Sequence, residues 1–154
     1  MEQLLLNLVD HMRWADALVA DALEGPEPSE AEAVRLFAHL ASVEHVWYAR
    51  IHGRAPEHAV WPGLTVHAAR ALAAHQADLF NELVRESDDG ALARLVRYRN
   101  SAGHDYTNSV RDIVTHVAIH GSHHRGQIAR RLRSIGREPP YVDYIQFVRR
   151  HRPG

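Results

Sequence analysis

Residues 109–136, SVRDIVTHVAIHGSHHRGQIARRLRSIG, predict a long amphipathic helix. Apolar residues recur in it every three or four positions, which places them on one face of an α-helix. Gly136 follows the last of them and is expected to stop the helix. These apolar residues are Val110, Ile113, Val114, Val117, Ile128, Leu132 and Ile135.

The sequence before this stretch predicts three more long helices. The first covers residues 2–24 and stops at Gly25-Pro26. The second begins at a capping box formed by Ser29 and Glu32 and runs to about residue 52, and the third begins at Thr65 and fades at residues 87–90. Residues 53–63 contain two prolines and are too long for a tight turn between antiparallel helices, so we expect a crossover connection there.

Two smaller elements complete the prediction. Residues 92–107 centre on Asn-Ser-Ala-Gly, which is typical of a hairpin, and residues 143–150 can form a short last helix. The fold class is therefore all-α: a four-helix bundle in up-down-down-up order with one long crossover, a small hairpin and a short C-terminal helix. We expect one domain over residues 1–154.

Composition limits the chemistry available to the chain. Its 154 residues include 13 histidines and no cysteine, so a bound metal ion must be held through nitrogen or oxygen. All 18 basic residues are arginine, which excludes Schiff-base chemistry on a lysine. The formal charge of −1 offers no broad basic surface for nucleic acid. No apolar run approaches the ~18 residues of a membrane span. We expect a cytoplasmic protein with neither a nucleic-acid nor a membrane partner.

A helical wheel ranks the four histidines of residues 109–136. His124 and His120 lie about 40° and 80° from the centre of the apolar face, whereas His116 and His123 lie about 115° and 135° away. His120 and His124 are spaced i and i+4, so two imidazoles on one helix face can chelate one metal ion. A single histidine in such a position is more often a hydrogen-bonded packing residue, so further ligands are needed.

The second helix can supply a third ligand. His39 lies about 80° from the centre of its apolar face, a position equivalent to that of His120. Three histidines on two neighbouring helices leave a fourth position open, as in catalytic zinc sites. His11, about 60° from the apolar centre of the first helix, is a candidate fourth ligand, although pocket lining or helix packing suits it better.

Gly121, Arg125, Gly126 and Gln127 surround this histidine pair. Each glycine costs about 1 kcal/mol relative to alanine in a helix interior, which indicates close approach of another helix or of a ligand. Arg125 and Gln127 flank the apolar face and are candidate cofactor-binding residues, with solvated polarity as the alternative for each. His11 is the third candidate cofactor-binding residue.

The run from His120 to Ile128 resembles the HxxxHRGQ signature of the DinB/YfiT-like metalloprotein superfamily. Four further short segments resemble parts of the same family pattern, and the resemblance extends over nearly the whole chain. They are Trp14-Ala15-Asp16; Leu36 to Leu40 with Glu44 and Trp47; Tyr98 to Gly103; and Pro140 to Ile145.

The resemblance implies a four-helix bundle with a divalent metal ion (Zn, Ni or Fe) on His39, His120 and His124, often assembled as a homodimer. It also implies a metal-dependent transferase that uses a low-molecular-weight thiol as co-substrate and a small-molecule electrophile. Since the chain has no cysteine, the sulfur must come from that thiol.

Two alternatives remain open. A metal-dependent hydrolase would need a general base, and Glu44 projects about 140° away from His39 around the helix. A non-catalytic metal-binding stress-response module would have a closed site, with His11 as the fourth ligand. Trp47, Tyr48 and Trp61 are a candidate aromatic edge for the homodimer.

Overall fold

A computed structural model of the chain describes residues 2–25 and 30–151. It is built mainly of helices, with one antiparallel hairpin in which Leu95 pairs with Ser109 and Arg99 with Asp105. The elements are α1 (Glu2–Leu23), α2 (Ala31–Ile51), α3 (Val66–Glu86), α4 (Asp89–Ala93), β1 (Leu95–Arg99), β2 (Asp105–Ser109), α5 (Val110–Ser134) and α6 (Tyr144–His151).

Helix ends follow the capping residues of the sequence closely. Thr65 accepts a hydrogen bond from Ala68 N–H (3.2 Å), and Ser109 accepts one from Asp112 N–H (3.1 Å). Gly136, with a φ of 79°, follows the end of α5. The predicted cap Ser29 lies outside the described residues, and within them the Glu30 carboxylate accepts from the first N–H groups of α2.

Two hydrophobic clusters establish the direction of each long helix. One cluster joins the first halves of α1 and α5 to the ends of α2 and α3, whereas the other joins the last halves of α1 and α5 to the starts of α2 and α3. Helices α1 and α5 therefore run one way and α2 and α3 the other. This confirms the predicted up-down-down-up bundle, in which α1 and α2 each pack mainly against α3 and α5.

The crossover, residues 52–65, connects two parallel helices and so must return along the bundle. Three side chains of α2 form hydrogen bonds with it. Glu57 N–H donates to His45 Nε2 (2.9 Å), Ser42 Oγ donates to the Ala59 carbonyl (2.5 Å), and His39 Nδ1 donates to the Val60 carbonyl (2.7 Å). The crossover is thereby attached to the middle of α2.

The predicted hairpin and last helix are confirmed, and α4 is an addition. The sequence predicted that the third helix ends at residues 87–90, and it did not predict a further helix directly after it. The Asp88 carboxylate accepts a hydrogen bond from Ala91 N–H (2.7 Å) and caps this one short turn.

A buried ion pair lies in the bundle interior. Arg125 Nη1 donates to Asp16 Oδ1 at 2.7 Å, and the two side chains are 1% and 5% exposed. A Cβ atom at Gly121 would lie 3.0 Å from Arg125 Nη1, so the close neighbour at this glycine is a guanidinium of the same helix and not the other helix or ligand that was predicted. At Gly126 a Cβ would meet no atom of the described chain within 4 Å, so the predicted close approach does not occur there.

Within the described residues, no helix is both long and apolar enough to cross a membrane.

Candidate metal centre

His39, His120 and His124 come together where α2 faces α5. One ring nitrogen of each lies within 4.8 Å of the other two. The His120 and His124 Nε2 atoms are 3.1 Å apart, and the ring centroids of His39 and His124 are separated by 4.7 Å. His39 is buried and the other two are partly buried. The structure therefore brings together the three residues that the helical wheels selected.

Hydrogen bonds assign which nitrogen of two rings is free to bind a ligand. His39 Nδ1–H donates to the Val60 carbonyl (2.7 Å), and His124 Nδ1–H donates to Gln127 Oε1 (2.8 Å). The Gln127 amide is oriented in turn because its Nε2 lies 3.1 Å from His123 Nε2 and can donate to it. In neutral rings this leaves the Nε2 lone pairs of His39 and His124 available.

The donor set fits a divalent transition metal. In tetrahedral coordination with metal–nitrogen bonds of about 2.0–2.1 Å, two imidazole nitrogens lie about 3.3 Å apart, close to the observed Nε2 separation. Burial lowers the pKa of all three histidines, and the nearby imidazoles lower that of His120 further, to about 3. Neutral imidazoles at physiological pH are the form that binds metal.

Trp61 of the crossover covers one side of the cluster. Its ring stacks on His39 with centroids 3.7 Å apart and an interplanar angle of 11°, and the Arg35 guanidinium lies over the same indole at 4.2 Å. Sequence reasoning did not assign Trp61 to the site, because a crossover has no periodicity from which a direction can be read.

An open cleft of about 530 Å³ begins at His124 and continues along α5. Gln127 and Trp61 line it near the histidines, and Arg130 and Arg131 line it further along the helix. The candidate centre therefore lies at one end of a space large enough for a small organic molecule.

His11 is placed elsewhere. Its Nε2–H donates to the Val142 carbonyl (2.7 Å), and its ring packs between Trp14, Tyr144 and Phe147. The structure does not bring it to the three histidines, because the segment before α6 covers this part of α1. His11 thus has the packing role weighed for it in the sequence.

Arg125 and Glu44 lie in the interior rather than at the cleft. Glu44 packs against Asp16 and Arg125, where burial, and then the charge of Asp16, raise its pKa well above the usual range. A neutral Glu44 avoids a second carboxylate charge beside Asp16, which accepts from Arg125. Arg125 is therefore committed to an internal ion pair, and Glu44 is not a base for the histidine site.

The remaining candidates have partners within the chain. Trp47 contacts Tyr98 and His116, whereas Tyr48 contacts Phe80 in the core. The three residues of the predicted aromatic edge therefore have different neighbours, since Trp61 lies over His39. His45 is partly buried and accepts a hydrogen bond from Glu57 N–H of the crossover.

Four long helices with three histidines converging beside an open cleft define a class: a helical-bundle protein with a site that could hold a metal ion. The chain belongs to the DinB family, whose model matches residues 3–153, nearly the whole chain. This confirms the resemblance seen in the sequence. No curated protein matches the chain.

Proposed function

We propose that this protein is a metal-dependent enzyme that joins a low-molecular-weight thiol to a small electrophile. The observation that carries the proposal is the convergence of the His39, His120 and His124 side chains beside a cleft that His124 lines. A divalent ion (Zn, Ni or Fe) held there would supply a Lewis acid that favours the thiolate form of a thiol at neutral pH. Imidazole ligands suit all three metals.

The role of the chain in this proposal is to orient donors and to shape the space beside them. The Val60 carbonyl and the Gln127 amide fix the rings of His39 and His124, so that their Nε2 atoms face inward. Trp61 stacks on His39 and covers one face of its ring on the side of the crossover. The cleft leaves room for thiol and electrophile together.

The proposed reaction balances without a redox partner. The sulfur lone pair forms a carbon–sulfur bond to the electrophile, the leaving group departs with the electron pair of its bond, and the thiol proton passes to solvent. Hydrolysis has weaker support, because within the described residues no carboxylate joins the histidine cluster. Glu44, the base considered from the sequence, is buried beside Asp16.

The test combines elemental analysis with a thiol-dependence assay. The protein as purified, stripped with EDTA and reloaded with Zn²⁺, Ni²⁺ or Fe²⁺, is assayed with monobromobimane in the presence and absence of added thiol. His120→Ala and His124→Ala should lose stoichiometric metal and thiol conjugation, whereas His116→Ala on the same helix should retain both.

Three results would contradict the proposal in different ways. Full metal occupancy in both His120→Ala and His124→Ala would refute the assignment of these residues as metal ligands. Product formation that needs metal but no thiol would favour the hydrolase. Unfolding of the protein by EDTA, with no exogenous ligand bound to the metal, would favour a non-catalytic stress-response module.

We further propose a cytoplasmic homodimer that acts on a small molecule. The family resemblance supports the dimer, and the absence of cysteine fits a reducing compartment. Sedimentation across a range of concentrations tests the assembly, and a monomer at the highest concentration would refute it.

A further inference from the structure

The cleft beside the three histidines carries an excess of positive charge. One acidic and two basic side chains line it. The acidic one, Glu32, already pairs with Arg35 (Nη1–Oε1 3.3 Å), and the basic ones are the neighbouring arginines Arg130 and Arg131. Within residues 2–25 and 30–151, neither Arg130 nor Arg131 forms an ion pair. Two guanidinium groups are therefore free to face a ligand in the cleft.

Helix geometry sets how far these charges lie from the histidines. Gln127 and Arg131 follow His124 by three and seven residues, so all three lie along one face of α5. At about 1.5 Å per residue, Arg131 is about 10 Å along the axis from His124. The same face thus presents nitrogen donors at one end and the Arg131 guanidinium two turns away, and Arg130 lines the cleft beside Arg131.

We propose that the co-substrate of this site is an extended anionic thiol, whose carboxylate binds Arg130 and Arg131 while its sulfur reaches the three histidines. The inference rests on the proposed function and specifies its substrate class. The planar guanidinium matches the two oxygens of a carboxylate, and such charge-assisted hydrogen bonds are stronger than neutral ones. Trp61 and Leu36 supply apolar surface for the chain between the two ends.

The test uses the full-length protein loaded with Co²⁺, in which thiolate binding gives a charge-transfer absorption band. Affinities are measured for 6-mercaptohexanoate and for 6-mercaptohexan-1-ol, which differ only in the charged end. We expect the carboxylate to bind about tenfold more tightly in the wild-type protein. In the Arg130→Gln/Arg131→Gln double variant the two affinities should become equal within about twofold.

Two controls separate local contacts from general charge. Mercaptoacetate is too short to reach Arg131, so its affinity should change little in the double variant. Arg133→Gln removes one charge from an exposed position of the same helix that does not line the cleft, and it should keep the preference for 6-mercaptohexanoate. Equal wild-type affinity for the two six-carbon thiols, or an equal loss in Arg133→Gln, would overturn the inference.

A second ligand pair keeps this inference distinct from the proposed thiol chemistry. Hydroxamates bind divalent metals through oxygen, so the monohydroxamate of octanedioic acid and octanohydroxamic acid repeat the comparison without sulfur. A carboxylate preference here, with no thiolate band from either thiol, would support the charged cleft and refute thiol activation. If both thiols gave a thiolate band with equal affinity, and the two hydroxamates also bound equally, carboxylate binding by Arg130 and Arg131 would be refuted. Thiol activation at the metal would then remain supported.

Discussion

Two adjacent residues of α5, His124 and Arg125, belong to groups with opposite chemistry. His124 and its two partner histidines direct nitrogen lone pairs toward one another beside an open cleft. Arg125 instead forms a buried ion pair with Asp16, and Glu44 is buried beside the same carboxylate. The three neutral histidines carry no positive charge of their own, whereas the arginine group contains the charge of Arg125. The first therefore suits a ligand, and the second stabilises the bundle.

Removing the arginine should have the largest effect on folding. Arg125→Met would leave Asp16 buried without its countercharge, so we expect the free energy of unfolding to fall by about 3–5 kcal/mol. Urea denaturation of the metal-free protein measures it. Arg133→Met, an exposed arginine of the same helix, should change stability by less than about 0.5 kcal/mol. A similar loss in both variants would show that the buried pair is not the cause.

Gln127→Leu should weaken the histidine group without unfolding the bundle. It removes the carbonyl that fixes the His124 ring, so metal affinity should fall about 10- to 100-fold. Competition with a chromophoric chelator measures the affinity, and denaturation should show little change because Gln127 is exposed. Gln127→Glu, which keeps an acceptor for His124 Nδ1–H, should restore most of the affinity. Unchanged binding in Gln127→Leu would mean that the ring needs no such support.

Glu44→Gln tests whether Glu44 is protonated in the interior. Because burial raises its pKa in the folded state, the folded protein binds more protons than the unfolded one above pH 4.5. Glu44 should therefore lower stability as pH rises above that value, by up to about 1.4 kcal/mol per pH unit, until the folded-state pKa is passed. The Gln variant should lose this contribution. Parallel curves of stability against pH for the wild-type protein and Glu44→Gln would refute a raised pKa of Glu44.

Substitutions at the two glycines of α5 should give the smallest difference in stability. Gly126→Ala meets no neighbour in the described structure, so it should stabilise the protein by up to about 1 kcal/mol through helix propensity. Gly121→Ala places a methyl group 3.0 Å from Arg125 Nη1, which Asp16 holds in position, so this gain should be absent or reversed. Thermal denaturation compares the two. Equal stabilisation would show that the guanidinium moves aside at little cost.

The long helices and the three histidines could be predicted from the sequence because each depends on local periodicity, and the order of the helices followed from the length of residues 53–63. Thr65 and Ser109 mark helix starts because their side-chain oxygens accept backbone N–H groups, and Gly136 marks a helix end because it adopts a positive φ. His39, His120 and His124 could be selected since wheel angles depend only on position along a helix.

What the sequence did not reveal depends on contacts between distant segments. The wheel gave His11 an inward direction but could not show that residues 141–147 lie across it. Arg125 resembled a polar residue at the helix margin, because its partner Asp16 is 109 positions away. Trp61 lies in the crossover, where no periodicity indicates direction. Each of these placements requires the tertiary fold.

The crossover, finally, allows the pocket to vary separately from the scaffold. The carbonyl that orients His39 and the indole that covers it belong to Val60 and Trp61, on a connecting segment rather than on a helix. Connecting segments accept substitution and changes of length more readily than packed helices do. Exchange of residues 57–61 between relatives could thus alter which molecules the pocket admits while the ligand-bearing helices keep their packing.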